Sequence, residues 1–295
     1  MSQRMIGSTV LVLTVLTLSA CGSTGFQSSS ESNVIVIGSQ DYYSNEIVAE
    51  IYAQALEESG VSVDRQFRIG PREVYLPELE SGSIDLFPEY TGPLLQYWKA
   101  DTAARLSDEV YSELEQSAPV GLRLLESASA TDENSYVVTK EFADQWNLTT
   151  IGDLKNVTEP LIFGSNSEAE GRPYGPAGLM ETYGVKVDFM PIEDGGGPLT
   201  TKALIDGDIQ IANIYTASPS IAQNNLVVLD DPQGLFIASH IVPLASKNVN
   251  DDTAAVINKV NAALSPEDLI ALNVRSTEEE LPASTIAADW LRDIN

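Results

Sequence analysis

The chain has 295 residues, 43% of them hydrophobic and 20% charged, a composition that fits one large folded domain or two lobes of ordinary size. Asp and Glu number 43 against 16 Lys and Arg, a formal charge of -27. Such a surface repels phosphate backbones and argues against nucleic acid as a partner.

Arg4 opens a short positive region, and Met5 to Leu18 is apolar but broken by Gly7, Ser8, Thr9, Thr14 and Thr17. A spanning helix needs about 20 apolar residues, so this stretch reads as the centre of a secretion signal. It closes on Leu18-Ser19-Ala20-Cys21, which looks like a bacterial lipobox, where the thiol is diacylglycerylated and the chain is cut before it. An ordinary signal peptide with an incidental cysteine is the weaker reading, because Cys21 is the only cysteine and follows small residues. Residues 1–20 are thus expected to be a lipoprotein signal peptide. Residues 21–32, rich in Gly, Ser and Thr, read as a lipidated flexible tether. The expected location is the extracytoplasmic face of the cell membrane.

Val34 to Gly38 is a β-branched run stopped by glycine and reads as a buried strand. Ser44 is placed to cap a helix from Asn45 to Ser59, with Gly60 as its stop and Ile47, Val48, Ile51, Ala55 and Leu56 as its apolar face. Val61–Phe67 is a second strand, Arg72–Glu80 a helix, and Ile84–Phe87 a third strand. This alternation implies a parallel α/β sheet. After a helical stretch from Leu106 to Gln116 the pattern restarts. Strands are expected at 136–138, 161–163, 187–190, 209–214 and 227–229, with helices at 140–146, 176–182 and 199–206 between them. Helices at 252–264, 266–272 and 283–291 close the chain. Ligands of open parallel sheets sit beyond the carboxyl ends of the strands. Gln40, Tyr90 and Tyr215 fall just past such ends and Tyr136 at a strand start, which points to a cleft lined by tyrosines.

Much chemistry is missing. With His240 as the one histidine and Cys21 as the one cysteine, a Cys/His metal site cannot be assembled, and no cofactor motif is present. Asp194-Gly195-Gly196-Gly197 lacks the Lys-Ser/Thr of a phosphate loop and reads as a turn. Asp230-Asp231 and Asp251-Asp252 lack a calcium-loop pattern and read as solvated. Trp98, Trp146 and Trp290 read as packing.

The segments Gly38-Ser39-Gln40, Arg72-Glu73-Val74 and Gly82 to Gly92, with Glu89-Tyr90-Thr91-Gly92 at its end, resemble the osmoprotectant-binding proteins of ABC importers for glycine betaine, carnitine and choline. Gly171-Arg172-Pro173-Tyr174-Gly175, Gly178-Leu179, Tyr183-Gly184, Ala203-Leu204, Gly207-Asp208 and Leu272-Asn273 fit the same pattern, so the likeness covers nearly the whole mature chain. It implies an α/β, two-lobed type II periplasmic-binding-protein fold with the ligand cleft between lobes. Lobe I would be 33–132 and 240–295, lobe II 133–239, joined by two crossing strands that let the lobes close. It implies a quaternary-ammonium ligand, held by an aromatic cage from Tyr90, Tyr136 and Tyr215. Arg172 would take a ligand carboxylate, and Gln40 and Asn134 would stand near the ligand. A trimethylammonium group has no N–H to donate, whereas aromatic faces attract it at about 0.5–2 kcal/mol per contact.

Two positions depart from the family. Ser239 stands where a fourth cage tyrosine is usual, and Pro93 follows Thr91-Gly92 in place of a small polar residue. An open cage is therefore expected unless Tyr42, Tyr43, Tyr174 or His240 closes it, which leaves room for choline, a larger betaine or an aromatic betaine such as ergothioneine. The expected partners are the ligand, the membrane-spanning permease subunits and, through lipid, the membrane. An enzyme on this fold and a sensor for a membrane partner are the competing classes. The first lacks the residues for a cofactor or metal site, the second any spanning helix.

Overall fold

The computed structural model describes residues 34–294. The signal peptide, Cys21 and the tether lie outside the described residues. Among the described residues there are ten strands: β1 (Ile35–Gly38), β2 (Val63–Gln66), β3 (Leu86–Tyr90), β4 (Leu122–Leu124), β5 (Asn134–Thr139), β6 (Ile162–Ser165), β7 (Asp188–Pro191), β8 (Ile211–Tyr215), β9 (Leu226–Val228) and β10 (Ile241–Ser246). They form two five-stranded sheets, ordered β2-β1-β3-β10-β4 and β7-β6-β8-β5-β9. The first sheet takes its strands from both ends of the described chain, the second from the middle.

Each sheet has a parallel core and an antiparallel flank. β1 runs parallel to β2 and β3, while β10 runs antiparallel to β3 and β4. β6 runs parallel to β7 and β8, while β5 runs antiparallel to β8 and β9. The wholly parallel sheet expected from the alternation of elements is thus only half the arrangement. The antiparallel strands β5 and β10 stand where the chain passes from one sheet to the other. β10 is buried at every position yet escapes sequence reading, because Pro243 argues against a central strand. The bonding explains the exception: Pro243 faces Leu125 just past β4, accepting its N–H at 2.9 Å, and the Leu125 carbonyl that a Pro243 N–H would have met takes the Tyr111 hydroxyl at 3.0 Å instead.

The helices that pack on these sheets follow their apolar spacing. The helix Tyr43–Glu58 buries Ile47, Val48, Ile51, Tyr52 and Leu56 against β1, β3 and the C-terminal helices. Each fully buried aliphatic side chain of this kind contributes about 1.5–3 kcal/mol. The helix starts two residues earlier than the sequence implies. Tyr42 is its first flanking residue, and Ser44 sits inside the first turn without capping it. Helices Pro176–Tyr183, Pro198–Asp206, Pro219–Gln223 and Pro266–Thr277 all begin on proline, whose missing N–H has no helical partner at that position. Trp290 is buried in the same core as Tyr52, and Trp98 and Trp146 pack at the edges of two others.

Candidate functional site

A cavity of about 480 Å³ lies where residues from both sheets converge. The first sheet supplies the loop after β1 and the first turn of the following helix, Gln40 and Tyr42 to Ser44, together with Tyr90 at the end of β3. Asn45 holds these pieces in register. Its Oδ1 accepts the Gln40 N–H at 2.8 Å, and its Nδ2 donates to the Pro88 carbonyl at 2.8 Å. A buried side chain thus ties the β1 loop to β3 beside Tyr90. The Tyr90 ring stacks on Tyr42, with centroids 6.3 Å apart and planes at 26°.

The second sheet supplies Tyr215, the last residue of β8, with Ala217 and Ser218 behind it and Gly195–Gly197 beside it. The glycines form the turn expected from sequence and also a wall of the cavity. Asp194 organises that turn, accepting the N–H groups of Leu199 and Thr200 at 2.6 and 3.1 Å at the start of the helix Pro198–Asp206. Gly196 has φ +82°, and a Cβ there would stand 2.6 Å from the Asn213 carbonyl oxygen, so both backbone and space require glycine. Asn273, from the helix Pro266–Thr277, bridges the walls: its Nδ2 donates to the Ala217 carbonyl at 2.9 Å.

Two charged groups reach the cavity. Arg72 is held in a fork by buried Glu89, with Nε and Nη2 each 2.9 Å from a carboxylate oxygen. Glu89 also accepts the Tyr75 hydroxyl and the Tyr90 N–H, which orients the β3 end from behind. Burial is the largest single influence on the Arg72 guanidinium and lowers it, but the charge of Glu89, its hydrogen bond and the nearby Tyr75 and Tyr42 together outweigh burial and hold the group above its ordinary range. Asp132, in the connection into β5, is the other charge. Burial pushes its carboxyl up to about 6, against a stabilising bond from the Ala217 backbone. Its charge acts on Tyr42, Tyr43, Tyr90 and Tyr215 alike, in each case adding to burial in raising the phenol. One carboxylate therefore stands within electrostatic reach of every tyrosine that lines the cavity.

Several buried polar atoms on these walls lack a hydrogen-bond partner: Gln40 Nε2, Ser44 Oγ, Tyr90 OH and Asn273 Oδ1. The Tyr90 hydroxyl lies beside Tyr42 and Asn45 without a bond of good geometry to either. Buried polar groups are normally satisfied, so these atoms leave hydrogen-bonding capacity free on the cavity walls.

Of the residues singled out in the sequence, the fold brings Gln40, Tyr90 and Tyr215 to this cavity, with Pro93, Tyr42 and Tyr43. Asn134 stands one step behind. It lies opposite Tyr215 across β5 and β8, and its Oδ1 accepts Asn213 Nδ2 at 2.9 Å. Tyr136 does not line the cavity. It is fully buried two residues further along β5, between Phe163 and Phe236 at 4.9 and 5.1 Å, and its hydroxyl donates to the Tyr174 carbonyl. Arg172 does not line it either. Its guanidinium forms an exposed pair with Glu168 one helical turn earlier. Tyr174 stacks on Phe236, and His240 faces a separate cavity, its Nε2 3.0 Å from Ser107 Oγ. Ser239 is buried beside Glu133, which accepts its N–H at 2.7 Å. Arg72, Asp132, Asn273 and the glycine wall were not read as site residues from sequence. Arg72 and Asn273 sat in motif segments without a role, and Asp132 carried no signal among 43 acidic residues.

Residues 33–293 match the family described as the substrate binding domain of ABC-type glycine betaine transport systems. The chain belongs to that family. It is 24% identical to the glycine betaine-binding protein YehZ of Escherichia coli strain K12, over 88% of this chain and 90% of that one. It is also 24% identical to the carnitine transport binding protein OpuCC of Listeria monocytogenes, over 98% and 95% of the two chains. A solved structure of a glycine betaine/carnitine/choline ABC transporter superposes with a TM-score of 0.81 at 19% identity, over 88% of this chain and 98% of that one. The architecture is thus the two-lobed periplasmic-binding-protein fold that the resemblance implied, and the chain is a substrate-binding component of this transporter class. Such components work outside the cytoplasm. Among the described residues no helix is long and apolar enough to cross a membrane.

Proposed function

We propose that this chain captures a quaternary-ammonium solute in the tyrosine-lined cavity and passes it to the membrane-spanning subunits of an ABC importer. The observation that carries the reading is the convergence of Tyr42, Tyr43, Tyr90 and Tyr215 around one carboxylate, Asp132. Ring faces attract a methylated cation that cannot be reached by hydrogen bonds, and the carboxylate adds a counter-charge. Gln40 Nε2 and Ser44 Oγ are placed to receive the polar tail. Asn134 acts as a positioning residue for Tyr215.

In this reading lobe I comprises 33–132 and 240–295 and lobe II 133–239, and closure of the lobes wraps the solute. The division of strands between the two sheets supports these limits. The protein is a receptor with no catalytic step, tethered to the extracytoplasmic membrane face through lipid on Cys21. The test is isothermal titration of the purified protein against glycine betaine, choline, carnitine, proline betaine and ergothioneine. Binding of one of these that is lost in Tyr90→Ala and Tyr215→Ala supports the reading. Binding of none of them, or binding indifferent to both substitutions, removes it.

A further inference from the structure

The charges around the cavity distinguish between solutes that share a trimethylammonium group. Among the described residues Arg72 is the one cationic side chain in the wall, and both carboxylate oxygens of buried Glu89 already engage it at 2.9 Å, so that pair contributes no net charge. Asp132 has no ion pair among the described residues and is held only through the Ala217 backbone. The walls therefore carry one uncompensated negative charge. One of the unpaired polar atoms, Asn273 Oδ1, points the same way. The bond from Asn273 Nδ2 to the Ala217 carbonyl fixes the amide and leaves Oδ1, buried and without a partner, at the cavity. That oxygen accepts a hydrogen bond from an alcohol O–H and repels a carboxylate. Gln40 Nε2 serves either kind of tail.

We propose that the site selects solutes of net positive charge with a hydroxyl tail, quaternary-ammonium alcohols of the choline kind, over betaines whose tail is a carboxylate, with Asp132 as the specificity-determining residue. The inference rests on the reading of the cavity as a quaternary-ammonium site. A betaine neutralises Asp132 with its ammonium but must then place its own carboxylate near Asn273 Oδ1 and Asp132, with the one cation of the wall, Arg72, already engaged by Glu89. A monocationic alcohol meets Asp132 and Asn273 without that conflict.

The experiment is a set of matched titrations of choline, glycine betaine and tetramethylammonium, the last as a tail-free probe, with the purified protein and its Asp132→Asn variant. Choline is expected to bind more tightly than glycine betaine by about tenfold or more, the scale of one partly screened charge pair. Asp132→Asn is expected to weaken choline and tetramethylammonium by about tenfold and to leave glycine betaine unchanged or tighter. Glycine betaine binding as tightly as choline, or a variant that weakens all three alike, overturns the charge preference and leaves the quaternary-ammonium site standing. Binding of none of the three to the unsubstituted protein overturns the site itself. Should Asp132→Asn fail to fold, the ranking in the unsubstituted protein and in Asp132→Glu, which keeps the carboxylate, decides the matter.

Discussion

Tyr215 and Tyr136 lie on adjacent strands, on the same face of the second sheet, and have opposite surroundings. Tyr215 is the last residue of β8, nearly half exposed at 46%, and faces the cavity. Tyr136 is the third residue of β5, fully buried, with its ring walled in by Phe163 and Phe236. The register places Tyr215 opposite Asn134 and Asn213 opposite Tyr136, so a shift of two residues along one face separates cavity rim from core. The tyrosine faces the cavity where its strand stops and the core where the strand runs on. The same contrast holds for the two arginines. Arg72 is drawn inward by the buried Glu89, whereas Arg172 pairs with Glu168 in solvent.

Substitutions sharpen this contrast. Tyr136→Ala is expected to cost about 3–5 kcal/mol of stability in denaturant unfolding, the range for removing a large buried aromatic. Unchanged stability would mean that Tyr136 is free to leave the core. Glu89→Gln strips Arg72 of its buried counter-charge and is expected to lower stability by about 3 kcal/mol by the same measurement. Tyr215→Ala reverses the pattern of Tyr136: melting is expected to stay in place while affinity falls about tenfold, the scale of one desolvated cation–π contact. At the small end, Arg172→Ala is expected to change stability by less than about 1 kcal/mol, as for other exposed pairs, with affinity nearly unchanged. A large loss of affinity there would show that Arg172 reaches the solute after closure.

A pH series tests the carboxylates at the junction of the sheets. Burial holds Asp132 up at about 6 and Glu133 at about 7, both above their ordinary range. Groups raised in this way favour the fold while protonated. Their contribution is full below about 4 and is lost as pH rises through about 6 and 7. The ligand-free protein should therefore lose stability over that window, with Tyr42, Tyr43, Tyr90 and Tyr215 neutral throughout. A bound cation favours ionised Asp132, so binding below about pH 6 should release a proton and weaken. Titration in buffers of different ionisation enthalpy reads that release directly.

The sequence made the strand ends legible, and with them Gln40, Tyr90 and Tyr215, because strand, glycine and helix signals alternate clearly there. β10 was hidden by Pro243, whose missing N–H is tolerated because Tyr111 supplies the Leu125 carbonyl in its place, and β4 by its length of three residues. Tyr136 and Arg172, which the resemblance implied as ligand residues, lie outside this cavity, one in the core beside Phe163 and Phe236 and the other paired with Glu168. Asp132 was illegible because its role depends on Ala217 and on tyrosines as far along the chain as 42 and 215, brought together only by the passage of the chain between sheets.

The most direct measurement is a crystal structure of the protein with choline bound, located by the electron density of its headgroup. The account predicts the quaternary nitrogen within about 6 Å of the Tyr90 and Tyr215 ring centroids and facing Asp132. A nitrogen held instead against Tyr136, with the tail at Arg172, would contradict it.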